Sequence, residues 1–356
     1  MLSYLWRCYS TALTALRYFG YLGYRAFGLL SHIFPLSIGY HPSRADKPDD
    51  LVANHPAGDD ASTPNCDTYT VQLHPQRDLE VIKSGSSARV YKVDDHIVLK
   101  SSSPFQPPGH NTSASDRWHY TSNTTSQPNK LQNERTLLQL LQNHPHPHII
   151  EAIDVNQPEG IYLRRYHSLS EDKIPPQRHR IRWYRDLTDA LCHIHKLGIV
   201  HANVQIDNIL LDDHDRVILS DFSAASPFHE PNLAFSINGP SPTLSEATDI
   251  FAMGSLIYHM EHGIEPKLSV DSQGTWVLPH VHTGRPMLDT IIREAWLGHY
   301  GRASEMLECL VSIDTVGDVS VPGSRDRSIS TEELRRRVRE WREYRENTLA
   351  FIDRNL

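Results

Sequence analysis

Acidic residues are missing from the first 45 positions, where Arg7, Arg17, Arg25 and Arg44 give a local charge of +4. The whole chain stands at −8, so the remainder carries −12. That balance excludes the basic footprint of a general nucleic-acid binder. Cysteine is scarce: Cys8, Cys66, Cys192 and Cys309 lie far apart, with no Cys-x-x-Cys pair. A disulfide framework and a paired-cysteine zinc site are both excluded, and the pattern fits a reducing compartment. Long apolar runs are lacking too. In residues 1–40 an arginine interrupts each run before it reaches the roughly 18 residues that a membrane span needs.

What residues 1–40 do contain is a helical pattern. Ser3, Arg7, Ser10, Thr14, Arg17, Tyr21, Arg25 and Gly28 form a polar stripe opposite Leu5, Ala12, Leu16, Phe19, Ala26 and Leu29. An amphipathic helix in a membrane interface is the expected form, because arginine heads stay wet while the apolar face enters lipid. This places the protein on the cytoplasmic face of a membrane. A mitochondrial presequence is the alternative, since it shares the Arg-rich, acid-free composition. A helix packed on the rest of the chain is the third reading.

Residues 41–70 shift to Pro, Asp, Asn, Ser and Gly, the composition of a disordered linker. From 71 to 313 the chain is periodic. Short β-type runs come first (Leu79–Ile82, Arg89–Val93, His96–Leu99, Ile149–Val155, Ile161–Tyr166). Helical runs follow (Arg178–Lys196, Glu246–His262, Leu288–Leu310). Strands before helices predict an α+β protein with a small β-rich lobe and a larger helical lobe. Residues 101–129, crowded with Ser, Thr, Asn and Pro, read as a disordered insertion loop. Residues 314–356 read as a linker and a helix over Thr331–Ile352. A Ser330-x-x-Glu333 capping box opens that helix, Leu334, Val338 and Trp341 make its one apolar stripe, and glutamates interleave with its arginines to give a solvated face. The histidines of Asn143-His-Pro-His-Pro-His-Ile-Ile150 alternate with prolines, which favours a structural turn over a metal site.

Between about residue 79 and 313 an ordered series of motifs resembles the eukaryotic protein kinase family. Lys83-Ser-Gly85-Ser-Ser-Ala88-Arg-Val90 resembles the Gly-rich loop, with the middle glycine kept. Ile97-Val-Leu-Lys100 resembles the strand whose lysine pairs with phosphates, and Glu134 stands where its carboxylate partner belongs. Val98 takes the place of a common alanine and narrows the adenine pocket. Ile199-Val-His201-Ala202-Asn203-Val204-Gln205-Ile206-Asp207-Asn208-Ile-Leu-Leu211 resembles the catalytic loop, and Ser220-Asp221-Phe222-Ser223 the Asp-Phe-Gly motif. Glu246-Ala-Thr-Asp249 resembles the start of the central helix whose aspartate braces that loop.

The resemblance implies a nucleotide site of Gly85, Ala88, Val90, Val98, Lys100, Glu134 and Leu210, with Mg held by Asn208 and Asp221 and ATP as ligand. It also implies three losses. Asn203 replaces the catalytic aspartate and Gln205 the catalytic-loop lysine, while Ala202 removes the arginine that reads an activation-segment phosphate. No Ala-Pro-Glu lies between Ser223 and Glu246. The expected function is therefore an ATP- and Mg-binding pseudokinase with weak or absent phosphotransfer. An active atypical serine/threonine kinase and an interaction module without nucleotide are the alternatives. The protein partner or substrate is unnamed by the sequence.

Overall fold

The computed structural model describes residues 76, 79–85, 88–102, 113–169, 174–271, 276–313 and 329–353. Apart from Asp271, they belong to one compact unit. The expected N-terminal helix and the 41–70 linker lie outside the described residues, as do Ser86 and Ser87. Among the described residues, no helix is long and apolar enough to cross a membrane.

The small lobe is a five-stranded antiparallel sheet in the order β1-β2-β3-β5-β4, made of β1 (Val81–Ser84), β2 (Ala88–Lys92), β3 (Ile97–Ser102), β4 (Ala152–Asp154) and β5 (Ile161–Arg164). Period-two alternation divides its faces. Ile97 and Leu99 of β3 join Tyr91, Ile153 and Tyr162 on the outer side. Val98 belongs instead to the main core, and Lys100 is buried on that same inner side. Close backbone approach fixes the rear of Lys100. A Cβ added to Gly160, in the β4–β5 turn, would lie 2.3 Å from the Lys100 carbonyl oxygen, so any side chain there would push β3 away.

Helix α1 (Ala114–Asn143) packs on the inner side of the sheet, its leucines in one core with Val98, and carries Glu134. Its length corrects the insertion reading: Ser101 and Ser102 complete β3, and residues 114–129 are helical, leaving 103–112 outside the described residues. The composition of 114–129 would not nucleate a helix. Extending one already anchored by Leu131, Leu137, Leu138 and Leu141, all buried, costs far less than starting one.

The large lobe comprises α2 (Gln177–Lys196), the short strands β6 (His167–Ser168), β7 (Ile199–Val200), β8 (Ile209–Leu211), β9 (Val217–Leu219) and β10 (Ser226–Pro227), the one-turn α3 (Phe235–Asn238), α4 (Glu246–His262), a two-stranded hairpin at Ser269–Val270 and Trp276–Val277, α5 (Pro286–Leu297) and α6 (Ala303–Ser312). The apolar run from Leu288 to Leu310 thus splits into two helices. The break falls at Gly298, whose left-handed φ of 72° caps α5. Gly254 lets α4 and α5 touch: a Cβ there would meet the Ala295 Cβ at 2.8 Å.

The final helix, α7 (Thr331–Asp353), lies on the outer face of the small-lobe sheet. Leu334 and Val338 are buried, and Trp341 meets the Tyr162 ring edge-on at 5.9 Å. The arginines divide in two. Arg336 pairs with Glu333 and Glu340 within the helix, as expected for a solvated face. Arg337 and Arg342 instead reach Asp94 and Glu159 at the sheet turns, at 2.5 and 2.6 Å. The capping box forms by half: the Glu333 N–H donates to Ser330 Oγ, while the Glu333 carboxylate turns to Arg336.

Candidate functional site

Lys100 stands between two carboxylates. Its Nζ lies 2.7 Å from Glu134 Oε2 and 2.8 Å from Asp221 Oδ1. Strand β3 and helix α1 therefore meet at one buried ion pair, and the turn after β9 adds a second acid. Burial pulls the Lys100 ammonium down, yet the charges of Glu134 and Asp221 outweigh it and hold the pKa above the ordinary lysine value. For Asp221, burial works upward, but the Lys100 charge and the hydrogen bonds from Lys100 and Ser223 keep its carboxyl well below the usual range. Asp221 itself adopts a left-handed φ of 62°, a conformation that aspartate tolerates better than most residues. It caps the one-turn helix Phe222–Ala224 through the Ser223 N–H.

Phe222, fully buried, seats that turn. Its N–H donates to Glu134 Oε1 at 3.2 Å, and its ring packs edge-on against His201 at 4.9 Å. His201 is enclosed, and burial lowers its pKa, so it is neutral. Its Nε2 lies 3.1 Å from the Ser220 carbonyl, which fixes the Nε2–H tautomer because a carbonyl only accepts.

The segment from His201 to Asn208 is held from below by Asp249 of α4. One carboxylate oxygen accepts from the His201 N–H at 2.8 Å and the other from the Ala202 N–H at 2.9 Å. His195 of α2 braces the same carboxylate at 2.9 Å. The grip is needed because Ala202 sits at φ 60°, a left-handed conformation that costs roughly 1–2 kcal/mol for a residue with a Cβ. Further on, Asn208 Nδ2 donates to the Asn203 carbonyl at 2.9 Å. That bond fixes the amide, leaving the Asn208 oxygen as the free acceptor.

The predicted residues divide clearly. Lys100, Glu134 and Asp221 are brought into direct contact. Ala88 and Val98 are buried, and Val90 and Leu210 pack against the core that contains Val98. Gly85 closes the β1–β2 loop through its N–H to the Ala88 carbonyl at 2.9 Å. Asn203 and Gln205 lie half-buried on the loop that Asp249 holds. Asn208 and Asp221 together offer hard oxygen donors, an amide and a carboxylate, which is a donor set suited to Mg²⁺ rather than to a softer metal. Residues 144–148 form the expected turn: His148 Nδ1 contacts the Val217 carbonyl and His146 faces Asp189. Among the described residues, no group of His, Cys, Asp and Glu is placed to hold a metal on its own.

Two participants escaped the sequence reading, and a third, Lys83, was visible only as a substitution. Lys83 Nζ donates to the Asp207 carbonyl at 2.7 Å, across the mouth of the site. Asn238 donates to the Ala202 carbonyl at 2.9 Å, and Asn232 ties the same segment through the Gly239 and Ser241 carbonyls. Ala202 itself is packed with Val200, Leu244 and Phe228. An apolar cluster and two asparagines thus order the segment around the position where the resembled pattern has an arginine and a phosphate. Pairing of β10 with β7 completes the anchoring. Lone asparagines in a loop carry no periodic signal, so only the Lys83 substitution was visible beforehand.

Comparison with known proteins gives concordant matches. The family model described as protein kinase domain matches residues 111–280, which begin after the strands carrying Lys83 and Lys100. NUAK family SNF1-like kinase 1 of Homo sapiens is 24% identical over 152 residues, which are 37% of this chain and 23% of that protein. NUAK family SNF1-like kinase 2 of Rattus norvegicus is 26% identical over 143 residues, 35% of this chain and 22% of the relative. Hormonally up-regulated neu tumor-associated kinase of Mus musculus is 27% identical over 139 residues, with shares of 36% and 18%. The matched part of the chain spans less than a quarter of the length of each relative.

Proposed function

We propose that this chain, which carries a protein kinase domain, binds MgATP and transfers its γ-phosphoryl group weakly or not at all, acting as a regulatory or scaffold module in signalling. The observation that carries this reading is a contrast within one site. The Lys100–Glu134–Asp221 cluster is assembled, while Asn203 and Gln205 stand where the resembled pattern has the base and the cation of transfer.

Asn208 and Asp221 would hold the Mg²⁺, which when bound neutralises phosphate charge and clamps the phosphates. Lys100 stays protonated at physiological pH and supplies a fixed positive charge for the α- and β-phosphates. Glu134 prevents its ammonium from turning away. Val98, with Val90 packed against the same core, would line and narrow the adenine pocket, while Ala88 is small enough to keep the loop close to the phosphates.

The transfer half lacks its chemistry. The Asn203 amide oxygen orients an attacking hydroxyl but takes no proton and offers no negative charge. Loss of a positioned base typically costs about 10²–10⁴ in rate. Gln205 adds no cation at the moving phosphoryl group, where electrostatic stabilisation is usually the larger contribution. Both losses fall on one transition state, so their costs do not simply multiply.

The test is the melting temperature of the full chain with and without saturating MgATP, repeated for Lys100→Ala. A rise in the native protein that the variant lacks is the expected result, because a ligand that binds only the folded state adds to stability. Absence of any rise would reduce the domain to an interaction surface. Turnover of roughly 1–100 s⁻¹, ordinary for kinases, would make it instead a working serine/threonine kinase.

A further inference from the structure

The β1–β2 loop begins with Lys83, where the pattern it resembles has a glycine. Register fixes the side on which it acts. Lys83 pairs with Val90, and cross-strand partners share a face. Val90 packs against the main core with Val98, so Lys83 projects on the cleft side of the sheet and not under α7. Its ammonium reaches the Asp207 carbonyl at 2.7 Å. Asp207 lies in the one-turn helix Ile206–Asn208, two residues after Gln205 and one before Asn208. The cation from the upper loop therefore stands beside the segment that has lost its own lysine.

We propose that Lys83 is a phosphate-binding residue of this site, supplying to the polyphosphate of a nucleoside triphosphate the positive charge that Gln205 does not. The inference rests on the MgATP-binding reading above. Charge makes the first argument. Glu134 and Asp221 outnumber Lys100, and Lys100 is buried and engaged by both, so it cannot follow a phosphate that moves. Lys83 is the opposite case, exposed, on a flexible four-carbon stem, and tied to a neutral carbonyl.

Exchange makes the second argument. A phosphate oxygen forms a charge-assisted bond, shorter and stronger than one to a neutral carbonyl. A triphosphate lying between the two loops would draw Lys83 off Asp207. A glycine at position 83 would have no such reach. The contact seen without nucleotide is then the resting state of the side chain.

Equilibrium binding of MgATP, MgADP and adenosine to the full chain tests this, with Lys83→Met, Lys83→Arg and Lys100→Ala as variants. Lys83→Met is expected to weaken MgATP roughly tenfold, in line with one partly exposed hydrogen bond between charged groups. MgADP should weaken less and adenosine not at all, and Lys83→Arg should stay within a few-fold of the native protein. If Lys83→Met binds MgATP equally well or more tightly, the proposal is overturned, and the Asp207 contact is a strap that holds the cleft shut. An equal loss for adenosine also overturns it, since the effect then lies in the fold. If Lys100→Ala abolishes MgATP binding while Lys83→Met leaves it unchanged, this proposal alone fails. Absence of binding to the native protein and to Lys83→Met fails it together with the nucleotide reading.

Discussion

The site has two halves that meet at Asp221, and they keep different things. In the upper half the side chains survive: Lys100, Glu134 and Asp221 are present and in contact. In the lower half Ala202, Asn203 and Gln205 depart from the resembled pattern, while the groups that shape the loop are in place. Ala202 still holds a left-handed conformation, Asp249 still grips two consecutive N–H groups, and Asn208 still ties the loop to Asn203. Chemistry and scaffold are therefore separable in this fold. The shape of the loop does not rest on the Asn203 and Gln205 side chains, because His195 on α2 and Asp249 on α4, which brace it, are both buried.

If that separation is real, chemistry should return when the side chains do. Asn203→Asp with Gln205→Lys is expected to raise phosphotransfer by about 10²–10⁴, measured with radiolabelled ATP and a generic protein substrate. No gain would mean that the lower half has lost its geometry as well. A smaller effect is expected at the back of the upper half. Leu334→Ala empties a buried position under α7 and should cost about 2–5 kcal/mol in chemical denaturation. Hydrogen exchange should rise in Ile97–Ser102 before it rises in α4, and uniform exchange would show that the two halves unfold as one. The smallest effect concerns Ala202. Glycine has no Cβ to strain at φ 60°, so Ala202→Gly should stabilise the protein by roughly 1 kcal/mol, read as a shift of the denaturation midpoint. Destabilisation would mean that packing with Leu244 and Phe228 outweighs the backbone strain.

Much of this was legible in the residues themselves. The run Glu246–His262 matches α4 at both ends, because an apolar helix bounded by a serine cap and a glycine is doubly marked. Lys100, Glu134 and Asp221 were found through their order along the chain, although 34 and 121 positions separate Lys100 from its partners. The helical state of 114–129 was hidden because local composition does not report an anchor placed further along. The place of α7 was hidden for a related reason. Leu334, Val338 and Trp341 announced an apolar stripe, but a stripe does not say which surface it covers, and Asp94 and Glu159, which select that surface, read as ordinary turn acids.

The position of α7 also has a consequence for the order in which the molecule is made. The outer face of the small-lobe sheet is built from residues 91 to 162, and its cover from residues 334 to 341. During synthesis, at about 5–20 residues per second, Tyr91, Ile97, Leu99 and Tyr162 wait for some ten seconds or more while the whole helical lobe is translated. Contacts so distant in sequence form late and slowly. A nascent chain stalled before residue 334 would present a bare apolar sheet, the kind of surface that chaperones hold and that aggregates capture.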